Sequence, residues 1–180
     1  MEAQSMGQEE QTGEKQAFAK GDTAFMRRPL QKLPLNLGEW ILPAKLAEWV
    51  KEAVEHLDAS KPEAREFLQS PSESQERSIL RAVLYAYSTQ VYRSKEIEAA
   101  CHTDATFQAL CEGRAPFPDE IEHFRRKHRA LLETLLGQII VRAVGEKFAK
   151  VGELPPGFQN SLLHRAIDSI DTARHMDREA

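Results

Sequence analysis

One stretch of this 180-residue chain concentrates a single charge: His123-Phe124-Arg125-Arg126-Lys127-His128-Arg129 carries four permanent cations and no acid. Guanidinium and ammonium groups grip phosphate oxygens through charge-assisted hydrogen bonds, so Arg125, Arg126, Lys127 and Arg129 are candidate contacts to a nucleic-acid backbone. A second candidate is Arg93-Ser94-Lys95, placed by the surrounding pattern at the start of a helix. The free N–H groups of a helix's first turn favour an anion there. Each candidate also has a plain structural reading. The basic run would be a solvated face answering Glu120 and Glu122, with Glu122 pairing Arg126 at i,i+4, and Ser94 would be a helix cap with charged neighbours. In either case Phe124, His128 and Leu131 form the buried stripe. Replacing the four cations with Gln is therefore expected to leave the fold intact.

Other chemistry finds little support. Cys101, Cys111, His123 and His128 imitate a zinc-finger composition, but nine residues separate the cysteines where a zinc hairpin needs about two to four. The expectation is no metal, no cofactor and two unpaired, buried cysteines. No Ser-His-Asp order, phosphate-cradling glycine loop or paired-carboxylate motif is legible, so no catalytic residue and no small-molecule substrate is assigned.

The elements that position these residues read as all-α: a compact multi-helix domain with a long central helix and a helix-turn-helix-like element. Leu46, Trp49, Val50, Ala53, Val54 and Leu57 recur at three and four residues after Pro43, a good early helical position for proline. A connection from Asp58 to Ser74 has room for a short helical turn at Glu63 to Leu68. A strong helix then runs from about Ser74 to Tyr92 with Ile79, Leu80, Val83, Leu84, Tyr87 and Val91 on one face. Two short helices follow, one capped by Ser94, the other by Thr103 or Asp104, with Gly113 as the terminating C′ residue. The polar three-residue break between them suggests the helix-turn-helix-like element. From Asp119, apolar residues hold a 3.6 period for some thirty residues through Phe148, with Gly137 the weak point, and Asn160 caps a last helix. No alternating segment of strand composition occurs.

Residues 1–23, rich in Gln, Glu, Gly and Ser, are expected to be a disordered tail, and 24–41, mixing Pro with apolar residues, an extended arm. The N-terminus does not read as a secretory signal and no run suits a membrane span, which points to a cytoplasmic protein without a membrane partner. The net charge of −4 argues against a generic nucleic-acid coat protein, since backbone binding by counterion release needs many clustered cations.

Taken in order, Leu42-Pro43 before an amphipathic helix, a Leu-rich helix ending Tyr85-Ala86-Tyr87, Arg93-Ser94-Lys95 leading into Ile97-Glu98, and Phe124-Arg125-Arg126-Lys127-His128 form an ordered series. Over residues 42–152 the chain resembles the N-terminal domain of the bacterial InsH-type insertion-sequence transposases. The resemblance implies double-stranded DNA as partner, transposon ends in particular, and a full-length transposase or a second copy as protein partner. In that family a ribonuclease-H-like domain with metal-binding carboxylates follows, beginning with an Asp-Gly-Thr strand. Here Lys150-Val151-Gly152 leads instead into Glu153-Leu154-Pro155-Pro156, and residues 153–180 read as a C-terminal helix and tail. The expectation is a DNA-binding domain without strand-transfer activity. The alternative is a protein-interaction or degenerate structural module that has lost DNA binding. Two positions depart from the family's tendency: Gln90 stands where it has Gly, and Glu120 where it has Thr.

Overall fold

A computed structural model describes residues 36–147 and 156–178, and these contain eight α-helices and no strand. A short 3-10 turn, Leu37–Glu39, is capped by Asn36, whose Oδ1 accepts from the Gly38 N–H at 2.9 Å. The helices are α1 (Pro43–Glu55), α2 (Pro62–Leu68), α3 (Glu73–Ser88), α4 (Ser94–Thr103), α5 (Ala105–Leu110), α6 (Pro118–Lys127), α7 (Arg129–Lys147) and α8 (Pro156–Arg178). Prolines open α1, α2 and α6, where the first-turn N–H groups have no intrahelical acceptor and a fixed φ suits the helix. The tail at 1–23 and most of the arm at 24–41 lie outside the described residues. The arm's last six residues, 36–41, hold the 3-10 turn.

The hub is α3. Every residue from Ser78 to Ser88 is buried, and α1, α4, α5, α6 and α7 all pack on it. The described residues form a single unit whose core includes Leu46, Val50, Leu80, Leu84, Ile97, Leu110, Ile121, Leu132 and Leu136. Burying such a side chain is worth about 1.5–3 kcal/mol, against about 0–1 kcal/mol for an exposed ion pair. Apolar packing therefore dominates, and edge pairs such as Arg142 with Glu52 add little.

Several elements differ from their sequence expectation. The thirty-residue helix is two, α6 and α7, divided at His128, whose φ of −114° and ψ of 33° leave the helical region. The His128 ring is buried against Phe67 and Phe124, and its Nε2 lies 3.2 Å from the Glu76 carboxylate on α3. Among the described residues the longest helix is instead α8, which begins at Pro156 rather than at an Asn160 cap. It packs along α7 more extensively than any other pair of helices meets. Gly137 explains the closeness: a Cβ there would lie 2.5 Å from Leu163 Cδ2.

Helix ends follow the backbone more than the residue types. Gln90 is the C′ residue of α3, at φ +63°, with the Val91 N–H reaching Ala86 O at 2.8 Å and the Gln90 N–H reaching Tyr87 O at 3.3 Å. This is a Schellman closure built on a residue with a Cβ. At α5 the C′ residue is Glu112, at φ +54°, rather than Gly113, which follows at φ +81° and donates to Gln108 O.

Candidate nucleic-acid interface

The structure separates the seven sequence candidates into an internal set and a surface set. Arg125 is internal, 8% exposed. One guanidinium nitrogen forms an ion pair with Asp177 of α8, the other donates to Tyr92 O at 2.5 Å, and the group stacks over the Tyr87 ring at 5.3 Å. Ser94 is internal too, at 2%. It does not cap α4. It is the first helical residue, Arg93 is the N-cap, and the Ser94 N–H and Oγ–H both donate to the Asp177 carboxylate at 2.8 Å. An anion does sit at this helix N-terminus, as the free N–H groups favour. It is a carboxylate of the same chain, from α8. Arg125 and Ser94 thus join α4, α6 and α8, and neither presents a free donor to a phosphate.

Lys127 and Arg129 are at the surface but engaged. The Lys127 ammonium donates to Glu76 at 2.7 Å and to Ser70 Oγ at 3.2 Å, while Arg129 pairs with Glu133 at 2.7 Å and with Asp171 of α8 at 2.9 Å. Arg126, Arg93 and Lys95 are exposed and have no hydrogen bond or ion pair with any described residue. The i,i+4 pair expected between Glu122 and Arg126 is not made. The helix-turn-helix-like element also contracts: Asp104 alone separates α4 from α5, capping α5 by accepting from the Thr106 and Phe107 N–H groups. At six residues α5 has fewer than two turns.

Glu120, which stands where the resembled family tends to have Thr, is held along the start of α6. Its Oε2 accepts from the Phe117 N–H at 2.9 Å and its Oε1 from Arg114 at 2.7 Å. Burial works to raise its pKa, but the Phe117 N–H and Arg114 outweigh it and hold the carboxyl below its ordinary value. The Glu120 charge is thereby answered by Arg114.

Sequence reading did not find Arg174 and Arg178. Both lie on α8, beyond the reach of the family resemblance, and both are exposed without a partner among the described residues. They meet Arg126 at a groove of about 350 Å³ between α6, α7 and α8, lined by Glu122, Arg125, Arg126, Arg129, Ile170, Arg174, Asp177 and Arg178. With Arg125 and Arg129 already paired, Arg126, Arg174 and Arg178 share the groove with Glu122, which has no partner among the described residues. The α8 arginines recur at four residues, which puts them on one helix face. No sequence signal connected that face to Arg126, because the contact between α7 and α8 is tertiary.

Glu76 and His128, in contact between α3 and the junction of α6 with α7, make the fold sensitive to acid. Burial tends to raise the Glu76 pKa, but Lys127, Ser72, Ser70 and the His128 charge hold it down at about 2. Burial also lowers the His128 pKa, outweighing the pull of Glu76. Both folded pKa values lie below their unfolded ones, so both groups contribute stability at neutral pH that is lost as pH falls. The His128 share begins to go below about pH 6.5, and the Glu76 share goes between about pH 4.5 and 2. Thermal melts across this range should show Glu76→Gln flattening the acid limb. An unchanged acid limb in that variant would remove Glu76 as its source.

No family model matches the chain, and no curated protein or solved structure matches it significantly. Among the described residues, no group of three His, Cys, Asp or Glu side chains could hold a metal ion, and no helix is long and apolar enough to cross a membrane. What the structure presents is a helical domain with an arginine-lined groove on one side.

Proposed function

We propose that this chain is a DNA-binding domain of the transposase N-terminal type that grips duplex phosphates through the α6–α8 groove and performs no strand transfer itself. The observation that carries this reading is the meeting of Arg126, Arg174 and Arg178, none of them paired with a described residue, at one groove. Guanidinium groups without an internal carboxylate are the ones whose counterions a polyanion can release. Arg93 and Lys95, exposed at the start of α4, extend the cationic surface. The resemblance is supported at Gln90: this chain holds a left-handed φ where the resembled family tends to have Gly, the residue that adopts such a φ at no steric cost. DNA ends, a full-length transposase and a second copy of the chain are the partners this reading implies.

The test is electrophoretic mobility of duplex DNA across a salt series. Phosphate-mediated binding weakens steadily as salt rises, whereas binding that ignores salt, or no binding at low salt, would favour the interaction-module alternative. The same protein incubated with magnesium or manganese should neither nick nor join the duplex, because strand transfer by a metal pair needs clustered carboxylates. Cleavage that co-purifies with the protein through successive columns would overturn that half of the proposal.

A further inference from the structure

The chain has two cysteines, Cys101 in the last turn of α4 and Cys111 at the C-cap of α5. Both are buried and free, at 4% and 1% exposure, and their sulfur atoms share a hydrogen bond at 2.9 Å. Asp104 is the hinge between their two helices, and its cap on α5 fixes the approach. We propose that Cys101 and Cys111 are a redox-reversible dithiol that closes into an intrachain disulfide and locks α4 to α5.

Sulfurs already in contact require little backbone movement to meet the narrow geometry of a disulfide. The environment divides the roles. The hydrogen bond from Cys101 and the charge of Arg81 together lower the Cys111 thiol, whereas the shared hydrogen bond and burial raise Cys101. Arg81, held beside Cys111 by its pair with the adjoining Glu112, favours the thiolate there, which makes Cys111 the sulfur that reacts first and Cys101 the resolving thiol. Access comes through the adjoining turn: Glu112 and Gly113 are exposed, and Glu112 is tied down by its pair with Arg81 at 2.5 Å.

With a peroxide as oxidant, the Cys111 thiolate attacks one peroxide oxygen and the O–O bond breaks. The departing hydroxide takes a proton, leaving a sulfenic acid and water. Cys101 sulfur then attacks the Cys111 sulfur, the S–O bond breaks, and the Cys101 proton leaves with the hydroxyl as a second water. The two thiols lose two electrons and the peroxide gains them. A dithiol reductant reverses the step by exchange.

The test treats the full folded chain, freed of reductant, with hydrogen peroxide and follows intact mass, denaturing thiol titration and helical circular dichroism. The expected result is a loss of about 2 Da and of both titratable thiols, with helicity retained and the change undone by dithiothreitol. The Cys101→Ser variant should stop at the sulfenic acid, a gain of about 16 Da that dimedone traps. The same treatment in urea should close the bond more slowly, since unfolding separates the thiols. Unreacted thiols, chain-to-chain dimers, irreversible sulfinic acid in the folded parent, or closure as fast in urea as in buffer would each overturn the proposal.

Discussion

Arg125→Gln lowers the stability of the protein by about 3–5 kcal/mol, the loss typical of removing one partner from a buried ion pair. Domains of this size have about 5–15 kcal/mol in total, so the variant melts far below the parent or fails to accumulate folded. The cause is what Arg125 leaves behind. Asp177 keeps Ser94's two hydrogen bonds but loses its counter-charge in a site where it is largely shielded from water. Tyr92 O loses its donor as well. Asp177→Asn gives a smaller loss, because an amide oxygen can still accept from Ser94, and Arg125→Gln with Asp177→Asn costs less than the sum of the two. Chemical denaturation of the parent, both single variants and the double variant measures that coupling. Additive losses would show that the pair does not hold α8 to the rest of the domain. The quadruple replacement of Arg125, Arg126, Lys127 and Arg129, which the helical pattern expects to be harmless, should for the same reason be destabilised.

Replacing Arg126, Arg174 and Arg178 together with Gln is the complementary experiment, aimed at binding instead of stability. All three are exposed and have no partner among the described residues, so the melting temperature should stay near that of the parent. Withdrawing one cation from a DNA phosphate lowers the salt slope by about one unit, about three for the set. Three such cations amount to about a 40-fold change in affinity between about 50 and 200 mM salt. The matched control is Lys127→Gln. Lys127 is occupied by Glu76 and Ser70, so its replacement should register as lower stability near the acid limb and leave the slope almost unchanged. A triple variant that remains folded and binds with the parent's slope would take the groove out of the interface.

The two experiments divide the work of one basic run. Arg125 and Arg126 are neighbours in sequence, yet one points into the junction with α8 and the other lies at its rim. On a helix, adjacent residues differ by about 100° in direction, and this separates a structural cation from an available one. The Phe124 and His128 stripe fixes which face is buried, and Arg125 falls beside it while Arg126 falls away.

The all-α class and most of the helices are legible in the order of residues alone. The 3.6-residue recurrence of Leu46, Val50, Leu80, Leu84, Leu132 and Leu135 requires helices, and Pro43 and Asp104 mark starts through local backbone chemistry. These are properties of a few neighbouring residues. What the helices meet is set by packing between distant segments. That packing divides α6 from α7 at His128, whose ring lies beside Glu76, fifty-two residues earlier in the chain. It sets the Asp177 carboxylate on the α4 N-terminus from eighty-three residues away, turning Ser94 and Arg125 into internal groups. It also brings Arg174 and Arg178 beside Arg126, because α8 packs along α7 where Gly137 has no side chain. An ionic side chain is equally at home in water or against an opposite charge, so its type alone does not reveal its partner. Only the meeting of distant segments chooses between the two.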